Sequence, residues 1–296
     1  MTKPRASKAF VLLLCVGVSA LLTACATHDG AGSMPALVLT PAARDLPATK
    51  GRPVQIAKGF AHPEAVAVGQ GNVYVSDGNG VYRIRGKKVT PVGSGFEGPV
   101  GVAIDSKGNV YVANIYDSTV QMLAPNGTIT TIYQTFSDPP AAVAVDKKGD
   151  VYISSPGSDV LKATRADGEW STSCVTGQGS FCAGSAFRDP FGIAVDSKGN
   201  VYVADRGHNR IARVATNGKV TTIAKNLSSA TGVAVDAKDN IFFSANSQVY
   251  ELPTKGKRIT LPAPANGWQP EGIAVDAAGE NAYIADFNNV VWKVSL

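Results

Sequence analysis

The chain has 296 residues, 44% of them hydrophobic and 17% charged, with a formal net charge of +5. That balance suits one sizeable domain with an apolar core and excludes a disordered chain. It also excludes nucleic-acid binding through bulk charge, because the three basic residues Lys3, Arg5 and Lys8 sit in a segment expected to be removed, which leaves +2.

Lys3, Arg5 and Lys8 form a basic head, residues 9–22 an apolar stretch too short for a comfortable permanent span, and residues 20–24 a small-residue exit. Residues 1–24 therefore read as an export signal. Leu22-Thr23-Ala24-Cys25 resembles the lipobox of bacterial lipoproteins. The resemblance implies a diacylglyceryl group on Cys25 as the first mature residue, with several acyl chains giving stable anchoring where one would bind only marginally. Cys15 follows Leu14 rather than a small residue and should leave with the signal. Ala26 stands where an aspartate would favour inner-membrane retention, so the implied address is the bacterial cell envelope, on the periplasmic side of the outer membrane if the host has two membranes. The rest of residues 25–52 is rich in Ala, Pro, Gly and Thr and reads as a tether.

From residue 53 onward one unit is written six times. Its clearest copy spans residues 187–214: an aromatic, a proline, Gly-Ile-Ala-Val-Asp, a turn, then Val-Tyr-Val-Ala-Asp. The second-strand aromatics Tyr74, Tyr111, Tyr152, Tyr202, Phe242 and Tyr283 are 37, 41, 50, 40 and 41 residues apart. A unit of about forty residues cannot bury its own apolar face, so the units must pack on one another. In the fourth copy the alternation predicts strands over residues 192–195, 201–204, 210–214 and 220–224, with hairpin turns at residues 196–200 and 217–218. Four antiparallel strands per unit make a propeller blade. The last unit ends after its third strand, and residues 51–58 parallel the fourth-strand segment 218–225. The fold class expected is all-β: a six-bladed propeller over residues 53–296, closed by an early strand that completes the last blade.

Cys174 and Cys182 lie in an insertion that lengthens the third unit, and an oxidising compartment lets them pair. With seven residues between them and no histidine nearby, a disulfide staple is expected rather than a metal or redox pair.

The frame of Pro190, Gly192, Ile193, Ala194, Val195 and Asp196 with Val201, Tyr202, Val203, Ala204, Asp205, Asn209, Arg210 and Ile211 resembles the NHL repeat. The resemblance covers residues 53–296, is looser in the fifth unit, and implies a six-bladed propeller. NHL propellers include enzymes, RNA binders and adaptors, so function must come from the residues of the site.

Two rings of positions should open on one face around the central channel. The first holds Glu64, Val100, Ala141, Phe191, Thr231 and Glu271; the second holds Asp77, Asn114, Ser155, Asp205, Ala245 and Asp286. Because the sixth blade neighbours the first, Glu64 and Glu271 should be adjacent, with Asp77 and Asp286 close by. Such carboxylates suit a Ca²⁺-like ion, with Glu64, Asn114, Glu271 and Asp286 as candidate ligands, or division into an acid and a base. They equally suit a structural role in which the aspartates accept backbone hydrogen bonds at strand ends. Asp105, Asp146, Asp196, Asp236 and Asp276 belong to the opposite face and read as turn caps.

Peptidyl-hydroxyglycine amidating lyases, which share a related frame, hold zinc through histidines after the blade-opening proline. Here those positions are Glu, Val, Ala, Phe, Thr and Glu, and the chain has only His28, His62 and His208. Gluconolactonase-like propellers hold a divalent metal through Glu, Asn and Asp, and Pro270-Glu271-Gly272 and Pro63-Glu64-Ala65 are similar to one fragment of that pattern. No catalytic residue set is complete. The leading expectation is a lipid-anchored cell-envelope binding or scaffold protein whose loop face takes a protein, peptide or glycan, without nucleic acid. Its contact candidates are Glu64, Asp77, Asn114, Tyr116, Asp205, Arg206, Glu271, Asp286 and Phe287, the exposed aromatics and Arg206 being residue types that interfaces favour. The alternative is a metal-assisted hydrolase or lactonase with carboxylates at the channel mouth.

Overall fold

The structure, a computed structural model, describes residues 51–296 other than 136–137, 158, 178–181 and 183–185. The expected export signal (residues 1–24), lipidated Cys25, nearly all of the tether and the third-blade aromatic Phe136 lie outside the described residues. The described chain forms six four-stranded antiparallel sheets, with one short 3₁₀ turn at Arg206–His208.

The fourth blade is built from Pro190–Val195, Val201–Asp205, Arg210–Val214 and Val220–Lys225. These strands match the expected ones, except that the inner strand starts two residues earlier and the second and fourth run one residue further. Asp196-Ser197-Lys198-Gly199-Asn200 makes the first hairpin, and Gly199 takes φ +84°, a conformation that disfavours side chains. The looser fifth unit is also the thinnest blade, its inner strand being only Val233–Val235 and its outer only Ile259–Thr260.

The ring closes as the orphan segment predicted. Val54–Lys58 joins the last blade antiparallel to Val290–Ser295, with Val54 opposite Lys293 and Lys58 opposite Val290. Each inner strand lies beside those of both neighbouring blades; Ala65–Gly69, for example, touches both Pro99–Ile104 and Pro270–Val275. Each buried apolar cluster is likewise shared by two consecutive blades. Phe187 packs with Tyr152 and Val160 of the third blade and Val203 of the fourth, while Trp268 packs with Phe242 and Leu261 of the fifth and Ile284 of the sixth. The recurring aromatics before the prolines thus work as inter-blade packing wherever the structure describes them, Phe96 being only partly buried. Cys174 and Cys182 form the expected disulfide.

Inner strands approach one another closely. A Cβ on Gly272 would stand 2.6 Å from the Ala65 Cα, so the glycine of the repeated Gly-x-Ala-Val unit is a contact requirement there. A second device was not read from the sequence. The position just before the second ring alternates strictly: Ser76, Ala113, Ser154, Ala204, Ser244, Ala285. The serine hydroxyls donate to carbonyls of the following blade: Ser76 to Val100 (3.0 Å), Ser154 to Phe191, and Ser244 to Glu271 (2.6 Å). Odd blades thereby bind the even blade ahead through a side chain. The inner strands of blades two, four and six in turn carry a bulge after their proline, which odd blades lack.

Candidate functional site at the channel mouth

The inner strands of all six blades line a small axial cavity of about 60 Å³, walled by Glu64, Val100, Ala141, Phe191 and Thr231 together with residues just after them, Gly272 among these. The first predicted ring therefore does surround the channel, and the space holds only a few waters.

Glu64, just before one inner strand, and Glu271, on the neighbouring one, stand side by side in this ring, where a Cβ on Gly272 would lie 2.7 Å from the Glu64 carbonyl. Burial pushes the Glu271 carboxyl up to about 7, and the negative charge of Glu64 adds to the rise. Arg206 and the Thr231 hydroxyl pull it back, and Asp286 raises it slightly. Glu64 is raised as well, again mainly by burial, with His62 easing the effect. Two carboxylates in poor contact with water cannot both ionise cheaply, so near neutrality the pair retains a proton for part of the time. Such a pair can donate and accept hydrogen bonds at one location.

The second ring behaves differently. Asp77 is buried and takes the backbone N–H groups of Ala61 (3.2 Å), Asn79 and Gly80 (both 3.1 Å). Asp205 takes Arg188 N–H (2.9 Å), the Arg210 guanidinium (2.7 Å) and His208 Nδ1 (3.0 Å). Asp286 takes Gln269 N–H (3.1 Å), Asn288 N–H (3.0 Å) and the Trp292 indole (2.7 Å). In each case one oxygen ties the loop entering the blade to the end of its second strand, so these three expected contact residues serve the scaffold. Asn114 is buried too; its amide nitrogen donates to Thr119 Oγ1 (3.1 Å) and Gln121 Oε1 (3.0 Å), while its oxygen has no partner.

The candidate cation ligands do not fit as a set. Both oxygens of Asp286 are engaged, and among the described residues no three His, Cys, Asp or Glu side chains converge as a metal site. Asn114 contributes one free oxygen, which is not a coordination shell for Ca²⁺.

Around the glutamates lie the loop residues. Tyr116 is 80% exposed and Phe287 41%. His62 packs on Phe287 with ring centroids 4.9 Å apart and planes inclined by 32°, which sets a tilted aromatic pair beside Glu64. Arg206, expected to be free, is half-buried: its guanidinium grips Asp189 through two bonds of 2.6 and 3.1 Å and lies 4.9 Å over the Phe191 ring. The Asp189–Arg206–Phe191 unit escaped sequence reading because nothing in the spacing brings a loop carboxylate to a turn seventeen residues later. His208 bonds Asp205 within the same turn, Nδ1 to carboxylate at 3.0 Å.

Residues 187–213 match the NHL repeat. No curated protein sequence matches the chain. Solved structures do. A gluconolactonase from Xanthomonas campestris superposes with a TM-score of 0.67 at 16% identity, covering 83% of this chain and 90% of that one. A structural-genomics protein provisionally assigned as a gluconolactonase gives 0.66 at 18%, covering 84% and 93%. A virginiamycin B lyase from Staphylococcus aureus, solved in inactive form with quinupristin, gives 0.61 at 16%, covering 83% and 98%. At these identities the likeness speaks for the fold alone.

Proposed function

We propose that the chain, which carries an NHL repeat on a six-bladed propeller, is a lipid-anchored envelope protein that binds a protein, peptide or glycan at the channel mouth. The observation that carries this reading is the pairing of unlike features on one face. The carboxyls of Glu64 and Glu271 are both raised there, that of Glu271 to about 7, beside an exposed aromatic pair of Phe287 and His62, with Tyr116 on the loops of the same face and Arg206 fixed close by. Aromatic planes supply contact area, and carboxyls able to donate and accept suit hydroxyl or amide groups. The aspartates around them hold the loops still, which lowers the ordering cost of binding.

Residues 26–296 immobilised on a surface should capture a partner from host envelope extract or a glycan array, and joint substitution of Tyr116, Arg206 and Phe287 by alanine should abolish capture. Unchanged capture would remove this face. Incorporation of labelled palmitate, lost in Cys25→Ala, tests the anchor.

A hydrolase or lactonase reading has one observation in its favour, the carboxyl of Glu271 near 7 beside a second glutamate. On that reading the two divide into acid and base. Lactone hydrolysis abolished by both Glu64→Gln and Glu271→Gln would establish it; an inactive wild-type protein would end it.

A further inference from the structure

The opposite face of the ring carries a cleft that the channel-mouth reading does not involve. It lies between the first and second blades, encloses about 570 Å³, and is lined by Asn72, Tyr74, Arg83 and Lys107 together with apolar walls that include Val92 and Leu123. A volume of this order is that of small-molecule sites.

The other blades provide an internal standard for what these polar groups take. Tyr74 is the second-strand aromatic of its blade, and Arg83 sits opposite it on the third strand. In the third blade the equivalent pair is Tyr152 and Lys162. There the phenol donates to the turn carboxylate Asp146 (3.2 Å) and the ammonium meets Asp150 at 2.7 Å. In the fourth, Tyr202 donates to Asp196 (3.1 Å) and Arg213 to Asn200 Oδ1 (2.7 Å). In the second, Tyr111 donates to Asp105 (3.1 Å).

The first blade has lost the turn aspartate. Gly69 stands where the others have it, and Asn72 stands where the third has Asp150 and the fourth Asn200. The replacement of the aspartate is locked in, since a Cβ on Gly69 would stand 2.6 Å from Ile104 Cγ2. Among the described residues the Tyr74 hydroxyl and the Arg83 guanidinium have no side-chain partner, and the Asn72 oxygen is buried without one, its amide nitrogen being held by the Gln70 carbonyl (2.7 Å). No acidic side chain lines the cleft. The nearest turn carboxylate, Asp105, is taken up by Lys107 N–H, Asn109 and Tyr111. The corresponding cleft between blades three and four differs: Asp146 and Asp196 line it, and two of its lysines, Lys162 and Lys198, are paired with Asp150 and Asp239.

We propose that the cleft between the first two blades binds a small ligand that bears one carboxylate on an apolar body. The carboxylate takes the place of the missing turn aspartate before Arg83, Lys107 and the Tyr74 hydroxyl, and the body lies along Val92 and Leu123. Arginine is the side chain best shaped for this, offering a planar fork to two oxygens.

A fluorinated probe decides the matter: 4-fluorophenylacetate titrated against the full-length chain at pH 7.5, read by fluorine line broadening, with neutral 4-fluorophenylacetamide as control. The expected result is saturable binding of the acid and at least about tenfold weaker binding of the amide. Arg83→Gln should remove the difference. Asn72→Asp, which restores the third-blade arrangement by giving Arg83 an internal partner, should do the same while circular dichroism and melting stay those of the parent. Lys148→Gln, in the cleft between blades three and four, should change nothing. Equal binding of acid and amide, or undiminished binding by folded Arg83→Gln or Asn72→Asp, overturns the proposal. Displacement by millimolar inorganic phosphate overturns the carboxylate assignment. None of these outcomes bears on the channel-mouth face.

Discussion

The aspartates and the mouth glutamates carry the same functional group at the ends of the two innermost strands of their blades, yet they occupy opposite conditions. Asp196 at the turn end of its inner strand accepts from Lys198 N–H, Asn200 N–H, the Asn200 amide and the Tyr202 hydroxyl at 2.7–3.1 Å. Asp205 at the mouth is fully buried and equally engaged. Glu271, at the entry of an inner strand, is partly buried with few donors and another carboxylate for a neighbour, and its carboxyl rises to about 7. Satisfied acids hold the ring together, whereas an acid deprived of donors stores a chemical potential that a ligand can relieve. Distance from the channel does not distinguish the two; the count of donors does.

Removing a satisfied acid tests the first half of that contrast and should have the largest effect. Asp205→Ala leaves the part-buried Arg210 guanidinium without its carboxylate, with only Thr222 and the Ala186 carbonyl to hold it, and the Arg188 N–H without an acceptor, and about 3–5 kcal/mol should be lost in urea unfolding. Replacing Cys174 and Cys182 by serine opens a short loop elsewhere and should cost about 2–3 kcal/mol, a yardstick free of carboxylate chemistry.

Glu271→Gln tests the second half, and its sign is opposite. The folded protein holds this proton more tightly than the unfolded chain, so the contribution of Glu271 to stability falls as pH rises from the ordinary glutamate value of 4.5 to about 7. The variant should match the parent near pH 4 and exceed it by about 1–3 kcal/mol at pH 8. Equal stability at both pH values would put Glu271 among the satisfied acids. Tyr202→Phe deletes one bond to Asp196 and should cost about 0.5–1.5 kcal/mol, the smallest change of the set.

The propeller, its six units and the closing strand were legible because a period near forty and two-residue alternation are local signals that bear directly on packing. The first ring was legible for the same reason, since Glu64 and Glu271 hold the same place in their units. What escaped was the partner of each side chain. That Tyr111, Tyr152 and Tyr202 reach back to turn aspartates, that serines in alternate blades bond the next blade, and that Arg206 folds onto Asp189 and Phe191 all depend on rotamers chosen across hairpins and between blades. The repeat states which residue types recur; only the assembled ring states which donors meet which acceptors. The loss of Asp at Gly69 was visible in the sequence, but it acquired meaning only once the tyrosine and cation it leaves unanswered were seen in the neighbouring blades.

The pairing of Val54–Lys58 with Val290–Ser295 imposes an order on biosynthesis. The first strand of the propeller to emerge must wait, with its amide edge exposed, until the last one has been synthesised, so closure is the slowest contact in sequence terms to form. A chain cut short anywhere before Val290 cannot complete the circle, and it offers quality-control proteases an open sheet in place of a sealed one.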